Sequence, residues 1–263
     1  MKKLFLFLFI IVIISCNKKE NTLEKEKIIE NIFNTNNING TFVFYDLNKN
    51  KYTIYNKERA EKRYYPASTF KIFNSLIALD SKVVNDVDEI FYTYNGEKVF
   101  LESWATNSNL RYAIKVSQVP AYKYIAKKVG LENMKKYIEK LEFGNKNIGE
   151  KIDTFWLEGP LEISSIEQVE LLTKLVKKEL PFSNDIQESV IDIIKLEDTD
   201  KYTLYGKTGL TDYDNESIGW FIGFASTKNN KYIFALNIDN INSSYLEKRI
   251  NISKLCLDAL INN

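Results

Sequence analysis

The sequence of 263 residues contains no histidine. Histidine is the usual general base near neutral pH, so its absence excludes Ser-His-Asp and Cys-His catalysis. It also excludes the common histidine-based zinc sites, and the two cysteines of the chain are too few for a cysteine-rich metal site. Proton transfer near neutral pH must therefore use carboxylate, tyrosine or lysine side chains.

Other features are absent or scarce. There is no Walker A motif and no glycine fingerprint of a dinucleotide-binding fold. Lysine and arginine total 36 against 35 aspartates and glutamates, so the charge gives no indication of a nucleic-acid partner. The composition is that of a globular protein with one large core.

The N-terminus resembles an export signal. Two lysines precede an apolar run that is too short to span a bilayer comfortably, which predicts a secretory signal peptide over residues 1–16. "IISC" also resembles a bacterial lipobox, in which Cys16 would be lipidated; the alternative is an ordinary signal that contains a cysteine by chance. We expect an exported, periplasmic protein with a lipid anchor in a bacterial membrane. Cys256 would then have no disulfide partner.

The remaining elements predict an α+β fold. A polar tether over residues 17–39, with a short amphipathic helix near its middle, leads into a single domain over residues 40–263. Alternating apolar residues predict two strands at the start of this domain and three near its end, and a mostly helical stretch separates the two groups. Strands from both chain ends would form one antiparallel five-stranded sheet flanked by helices. The predicted strands cover residues 41–46, 51–56, 201–209, 217–226 and 231–239.

The segment "YPASTFKIFNSLIALD" reads as a helix that is apolar on all sides and therefore buried. Its first turn carries Ser68 and Lys71, which are three residues apart and share a face. Burial can lower the pKa of a lysine by several units, so that its neutral amine can act as a base toward a serine hydroxyl. The alternative is that Ser68 caps the helix while Lys71 extends into solvent.

Two further motifs follow in order along the chain. "SQV" contains Ser117 and Val119, and "KTG" covers Lys207–Gly209 at the end of a predicted strand. A strand that ends in Lys-Thr-Gly can present an ammonium, a hydroxyl and an open backbone edge to a peptide-like substrate. Taken alone, "KTG" could equally be a hairpin turn.

With these three motifs in this order, the chain resembles the penicillin-recognising serine enzymes, and in detail the class D, oxacillinase-type β-lactamases. The resemblance covers roughly residues 40–260 and includes "DTFWLEGPLEISSIEQVELL", "YGKTG" and "IGWFIGF". Val119 separates the possibilities, because class A enzymes and transpeptidases usually have asparagine at this position. The resemblance implies hydrolysis of penicillin-type β-lactams by a serine acyl-enzyme, with no metal or organic cofactor.

The resemblance also implies that Lys71 reacts with CO2 to form a carbamate, which is the general base for acylation and deacylation. Phe70, Val119 and Trp156 would keep the pocket dry, and the Trp156 indole would donate a hydrogen bond to the carbamate. One departure is Phe143 in "FGN", where the family commonly has tyrosine. We expect a structural role for this loop.

By the same resemblance, Ser68 is the nucleophile, Ser117 relays a proton and Lys207 raises the local positive potential. The backbone N–H groups of Ser68 and Leu210 would form the oxyanion hole, and Thr208 and Arg249 would hold the substrate carboxylate. Gly209 would also contact the substrate, and Trp104 would line the cleft. Lys248 is an alternative to Arg249, whose helix face could also be solvated. Trp104 could equally be a core residue.

Three rival functions remain. A penicillin-sensing domain would be acylated through the same motifs and would stay acylated. A transpeptidase would share the serine and lysine residues, and a lipid-anchored binding protein would carry the motifs without activity. The sequence does not indicate an oligomeric state or a preferred β-lactam.

Overall fold

A computed structural model describes residues 23–213, 216–239 and 245–261 of the protein. The predicted signal peptide, Cys16 and the first part of the tether lie outside these ranges. The helices are α1 (23–35), α2 (Lys57–Glu61), α3 (Lys71–Asp80), α4 (Leu110–Lys115), α5 (Val119–Val129), α6 (Leu131–Leu141), α7 (Ser165–Lys177), α8 (Asn184–Ile193) and α9 (Tyr245–Ile261). The strands are β1 (Gly40–Asp46), β2 (Lys51–Tyr55), β3 (Arg63–Tyr64), β4 (Ile163–Ser164), β5 (Lys195–Asp198), β6 (Thr203–Tyr213), β7 (Glu216–Ser226) and β8 (Lys231–Asp239).

The main sheet is antiparallel and joins both ends of the chain, which confirms the predicted α+β architecture. In the described ranges it has six strands in the order β2-β1-β8-β7-β6-β5. The additional strand is β5, whose sequence "KLED" is short, largely exposed and without an apolar alternation that would reveal it. It pairs only with the beginning of β6, so β5 does not cover the rest of that edge of β6.

Both faces of the sheet are covered, because its central strands are apolar on both sides. On β7, Trp220 and Ile222 join the core beneath α3, α5 and α7, whereas Phe221 and Ala225 join the core beneath α1 and α9. This alternation follows from the period of two along a strand. The α3 side contains the three predicted motifs.

Helix α1 corrects the predicted start of the domain. The short helix predicted near Leu23–Phe33 is present, but its Ile29 and Phe33 are fully buried in the core that also contains Leu257 of α9. The Lys25 ammonium donates to the Leu260 carbonyl at 3.0 Å. The folded domain therefore begins before residue 40, and this helix is not part of a free tether.

Two further findings concern the described residues as a whole. None of their helices combines the length and apolar character needed to cross a bilayer. Cys256 is a buried, free thiol in the core beneath α9.

Candidate active site

Ser68 lies in a 3-10 turn over Ala67–Phe70 that leads directly into α3, where the sequence predicts one continuous helix. The turn begins at Ala67, which has φ 49°, and the Ala67 amide donates to the Trp156 carbonyl at 2.8 Å. The side chains of Ser68 and Lys71 meet across the turn, and Lys71 Nζ donates to Ser68 Oγ at 2.7 Å. The predicted proximity of the two groups is therefore present.

Lys71 is completely buried, with no exposed surface. Burial lowers the pKa of its ammonium well below the usual value, and the nearby charge of Lys207 lowers it further. The ring of Tyr122 lies 5.3 Å from Nζ, and its hydroxyl is engaged with Ser75 at 2.8 Å. The alternative in which Lys71 extends into solvent does not hold, and burial favours the neutral amine over the ammonium.

Trp156 has a buried hydrogen-bond donor without an acceptor. Its side chain is fully buried, and within the described part of the chain the indole Nε1 has no hydrogen-bond partner. Its ring centroid lies 5.8 Å from that of Phe70, the residue before Lys71. A buried N–H without a partner costs about 1–3 kcal/mol, so an acceptor placed beside Nε1 would be favourable.

Phe70 is fully buried and packs edge-to-face against Phe143 and Phe155, with ring centroids 5.3 and 5.2 Å away. Phe143 also contacts Phe73, with ring centroids 5.2 Å apart, so it fills the core behind the Ser68 turn. Val119 is the first residue of α5 and is only partly buried. The pocket around Lys71 is therefore closed mainly by aromatic rings.

Strand β6 brings "KTG" to the edge of this pocket. A side chain on Gly209 would lie 3.0 Å from Thr69 Cγ2 and 3.1 Å from the Pro66 carbonyl oxygen, so glycine permits the close approach of β6 to the Ser68 turn. Leu210 follows with a side chain that is 38% exposed. Thr208 is partly buried.

Lys207 and Arg249 add positive charge to the same region. Lys207 is 6% exposed, its ammonium donates to the Thr208 carbonyl at 3.0 Å, and burial together with the charge of Arg249 lowers its pKa to about 7. Arg249 of α9 is 8% exposed and donates from Nη1 to the Gly209 carbonyl at 2.5 Å. Burial lowers the pKa of Arg249 to about 10. The solvated-face alternative does not hold for Arg249, whereas Lys248 is partly exposed.

Ser117 lies between α4 and α5 in a left-handed conformation with φ 56° and is partly buried. Trp104 is attached to the same turn, because its indole donates to the Val116 carbonyl at 3.0 Å. Trp104 is half-buried and packs against Phe100, which is 88% exposed. It belongs to the surface beside Ser117 and is not a core residue.

Sequence reasoning missed the residues that hold these motifs in place. Gln118 donates to the Trp104 carbonyl at 2.8 Å and to the Thr106 carbonyl at 3.1 Å. Gln168 of α7 donates to Thr69 Oγ1 at 2.9 Å, next to Ser68. Gln118 and Thr69 each lie next to a motif residue in the sequence, and this position could have marked them as candidates. The contact of Gln168 with Thr69 spans 99 positions, so no local pattern reveals it.

In the described ranges, no group of three or more Cys, Asp or Glu side chains is arranged to hold a metal ion. The site combines the Ser68 hydroxyl, a buried amine, an indole donor without a hydrogen-bond partner among the described residues, and a cationic strand edge. Such an arrangement suits acyl transfer to Ser68 from a substrate that carries a carboxylate.

Comparison with known proteins identifies relatives over most of the chain. The family described as penicillin binding protein transpeptidase domain matches residues 30–254. Crystalline FUS-1 (OXA-85), a class D β-lactamase from Fusobacterium nucleatum subsp. polymorphum, is 52% identical and superimposes with a TM-score of 0.86, covering 89% of this chain and 97% of that one. The probable β-lactamase YbxI of Bacillus subtilis (strain 168) is 38% identical over 226 residues, which are 86% of this chain and 83% of that protein.

A third relative is the regulatory protein BlaR1 of Bacillus licheniformis. It is 34% identical over 200 residues, which are 76% of this chain and 33% of that protein. The chain belongs to the penicillin binding protein transpeptidase family. Within that family it belongs to the class D β-lactamases, as the identity and coverage of its relatives show.

Proposed function

We propose that the protein hydrolyses the β-lactam ring of penicillin-type antibiotics through an acyl-enzyme on Ser68. The observation that carries the proposal is the 2.7 Å contact between Ser68 Oγ and the buried Lys71 Nζ. A hydroxyl becomes an effective nucleophile when a base of suitable pKa is within hydrogen-bond reach. The names of the class D relatives, all β-lactamases, support the same reaction.

The base in this proposal is Lys71 after reaction with CO2. The neutral amine would attack the carbon of CO2, forming an N–C bond as one C–O π bond breaks, and would release one proton to water, which leaves a carbamate with one negative charge. Two observations fit this group: the amine is buried with a lowered pKa, and the Trp156 indole lacks an acceptor. The carbamate would supply a carboxylate-type base beside Ser68 Oγ. No other cofactor is required.

Ser68 Oγ would give its proton to the base at Lys71 and attack the β-lactam carbonyl carbon. The backbone N–H groups of Ser68 and Leu210 would bind the resulting oxyanion, because Gly209 allows their two elements to approach closely. Ser117, on the turn between α4 and α5, would pass a proton to the ring nitrogen as the amide bond breaks.

The substrate carboxylate would bind at the cationic end of β6. Thr208 would donate a hydrogen bond, and Arg249 and Lys207 would supply positive charge near Gly209. A water molecule would then lose its proton to the same base at Lys71 and hydrolyse the ester on Ser68. The enclosed position of Lys71 among Phe70, Tyr122 and Trp156 limits competing water.

A second candidate function is penicillin sensing, in which the acyl-enzyme persists. The similarity to BlaR1, a regulatory protein, favours retaining this alternative. The acylation machinery is the same in both cases, so only the fate of the ester on Ser68 separates them.

We also propose that the protein is exported and held at a membrane by a lipid on Cys16. The apolar N-terminal run and the "IISC" sequence support this location. Substitution of Cys16 by serine should release the protein into the soluble fraction, and unchanged membrane association would contradict the lipid anchor.

Hydrolysis of a chromogenic cephalosporin by the domain from residue 20 onward tests the reaction. Many turnovers per molecule, together with a transient mass increase on Ser68 in intact-protein mass spectrometry, are expected. A single stoichiometric burst with a stable adduct would identify the sensing function instead. Absence of both turnover and any adduct would contradict both functions.

A further inference from the structure

A cleft of about 560 Å³ opens beside Lys207 and Thr208. Its walls are formed by four segments: helix α4, the segment that joins α8 to β5, strand β6, and helix α9. Lys115, Leu196 and Ile250 line it together with Lys207 and Thr208, whereas Ser68 and Lys71 do not. Its volume is that of a typical pocket for a drug-sized molecule. It therefore extends the site beyond the group that is proposed to bind the substrate carboxylate.

Two basic side chains of the cleft lining have no acidic partner among the described residues, Lys207 on β6 and Lys115 at the rim. Each of its three acidic residues already has a basic partner within 2.8 Å: Asp192 with Arg111, Asp198 with Lys195, and Glu197 with Lys254. Lys115, in the last turn of α4, is exposed and forms no ion pair or hydrogen bond through its side chain with any described residue. An anion that enters the cleft would meet this ammonium without displacing an existing partner.

The cleft also has an apolar part. Leu196 is 49% exposed, although leucine is ordinarily buried, and Ile250 faces the same space. An apolar stem or an aromatic ring could lie against these two side chains. A ligand with an apolar stem and an anionic end would match both features.

We propose that this cleft is a substrate subsite for an anionic substituent on the ring carbon next to the one that carries the carboxylate, and that Lys115 determines this preference. The inference rests on the proposed function. In a cephalosporin these two ring carbons are adjacent. If Thr208 binds the carboxylate, a substituent one bond away lies next to Thr208, which also lines the cleft.

The test compares two cephalosporins with the same acylamino side chain and an arylthiomethyl substituent that ends either in a carboxylate or in a trimethylammonium group. The quantity measured is the ratio of the two kcat/KM values for the anionic and cationic compounds. Lys115→Glu should lower this ratio about sixteenfold, because each exposed charge pair contributes a factor of about two and the substitution changes four such pairings. The effect should shrink at high salt, since the Debye length falls from about 10 Å at 0.1 M to about 3 Å at 1 M.

Lys136→Glu is the matched control, because Lys136 is an exposed lysine of α6 that does not line the cleft. It should leave the ratio unchanged. An unchanged ratio in Lys115→Glu would overturn the subsite, as would an equal change in the Lys136 variant. If the protein is acylated without turnover, the proposed hydrolysis fails, and the same ratio is then measured from acylation rates. A protein that neither compound acylates would overturn both proposals.

Discussion

Replacing Trp156 by phenylalanine tests the link between the buried indole and CO2 capture by Lys71. The substitution removes the Nε1–H group and keeps an aromatic ring beside Phe70. The described structure leaves this donor without a hydrogen-bond partner, so its loss breaks no hydrogen bond that is present without CO2. The smaller ring also loses packing against Phe70 and Phe155, which lowers the free energy of unfolding. The part of the effect that depends on bicarbonate reports the affinity of Lys71 for CO2.

The size of the effect follows from the charge of the carbamate. A hydrogen bond to a charged group contributes about 1.5–3 kcal/mol, and about 1.4 kcal/mol corresponds to a factor of ten. Trp156→Phe should therefore raise the bicarbonate concentration that gives half-maximal activity by about tenfold to about a hundredfold. At saturating bicarbonate, kcat should recover most of its value.

The assay is hydrolysis of a chromogenic cephalosporin in CO2-depleted buffer, with bicarbonate added in steps. Carbon-13 NMR with labelled bicarbonate reports carbamate on Lys71 independently of activity. Trp104→Phe is the matched control, since the Trp104 indole already donates to the Val116 carbonyl. A half-saturating concentration that is the same in Trp156→Phe and in the unmodified protein would refute the proposed hydrogen bond.

Three further predictions concern the nucleophile, the strand edge and the buried cation. Ser68→Ala should abolish both turnover and the covalent adduct, and turnover retained in steady-state assays would exclude Ser68 as the nucleophile. Gly209→Ala places a methyl group 3.0 Å from Thr69 Cγ2, so the two oxyanion donors should separate and the acylation rate should fall by about 10²–10³-fold; an unchanged rate in stopped-flow measurements would contradict this geometry. The pKa of Lys207 is about 7 in the folded protein and 10.5 as its reference value, so the unfolded state binds more protons between these values. In CO2-depleted buffer, the free energy of unfolding should therefore rise with pH between about 7 and 10.5, by about 1.4 kcal/mol per pH unit more than that of Lys207→Met. Below pH 7 the two free energies should change with pH in the same way. Denaturant titrations in which both proteins show the same pH dependence throughout would contradict the lowered pKa of Lys207.

The sequence is sufficient to predict the elements whose signals are local. The Ser68–Lys71 contact follows from a spacing of three residues, and β7 and β8 follow from apolar alternation. The α+β class follows from the order of these elements along the chain.

Contacts between distant segments could not be read in this way. The Arg249 contact with Gly209 spans 40 positions, and the sequence leaves Lys248 open as an alternative because it does not show how α9 is rotated. The position of α1 depends on a groove between the sheet and α9, which no pattern within residues 23–35 describes. The same holds for Trp104, whose half-buried position depends on the loop that Gln118 fixes.

The most direct test of the account is steady-state hydrolysis of a chromogenic cephalosporin by the unmodified protein, first in CO2-depleted buffer and then after addition of bicarbonate. The account predicts slow turnover without CO2, with repeated and faster turnover once bicarbonate restores the base at Lys71. Full activity in the depleted buffer, unchanged by bicarbonate and without a carbamate signal in carbon-13 NMR, would contradict it.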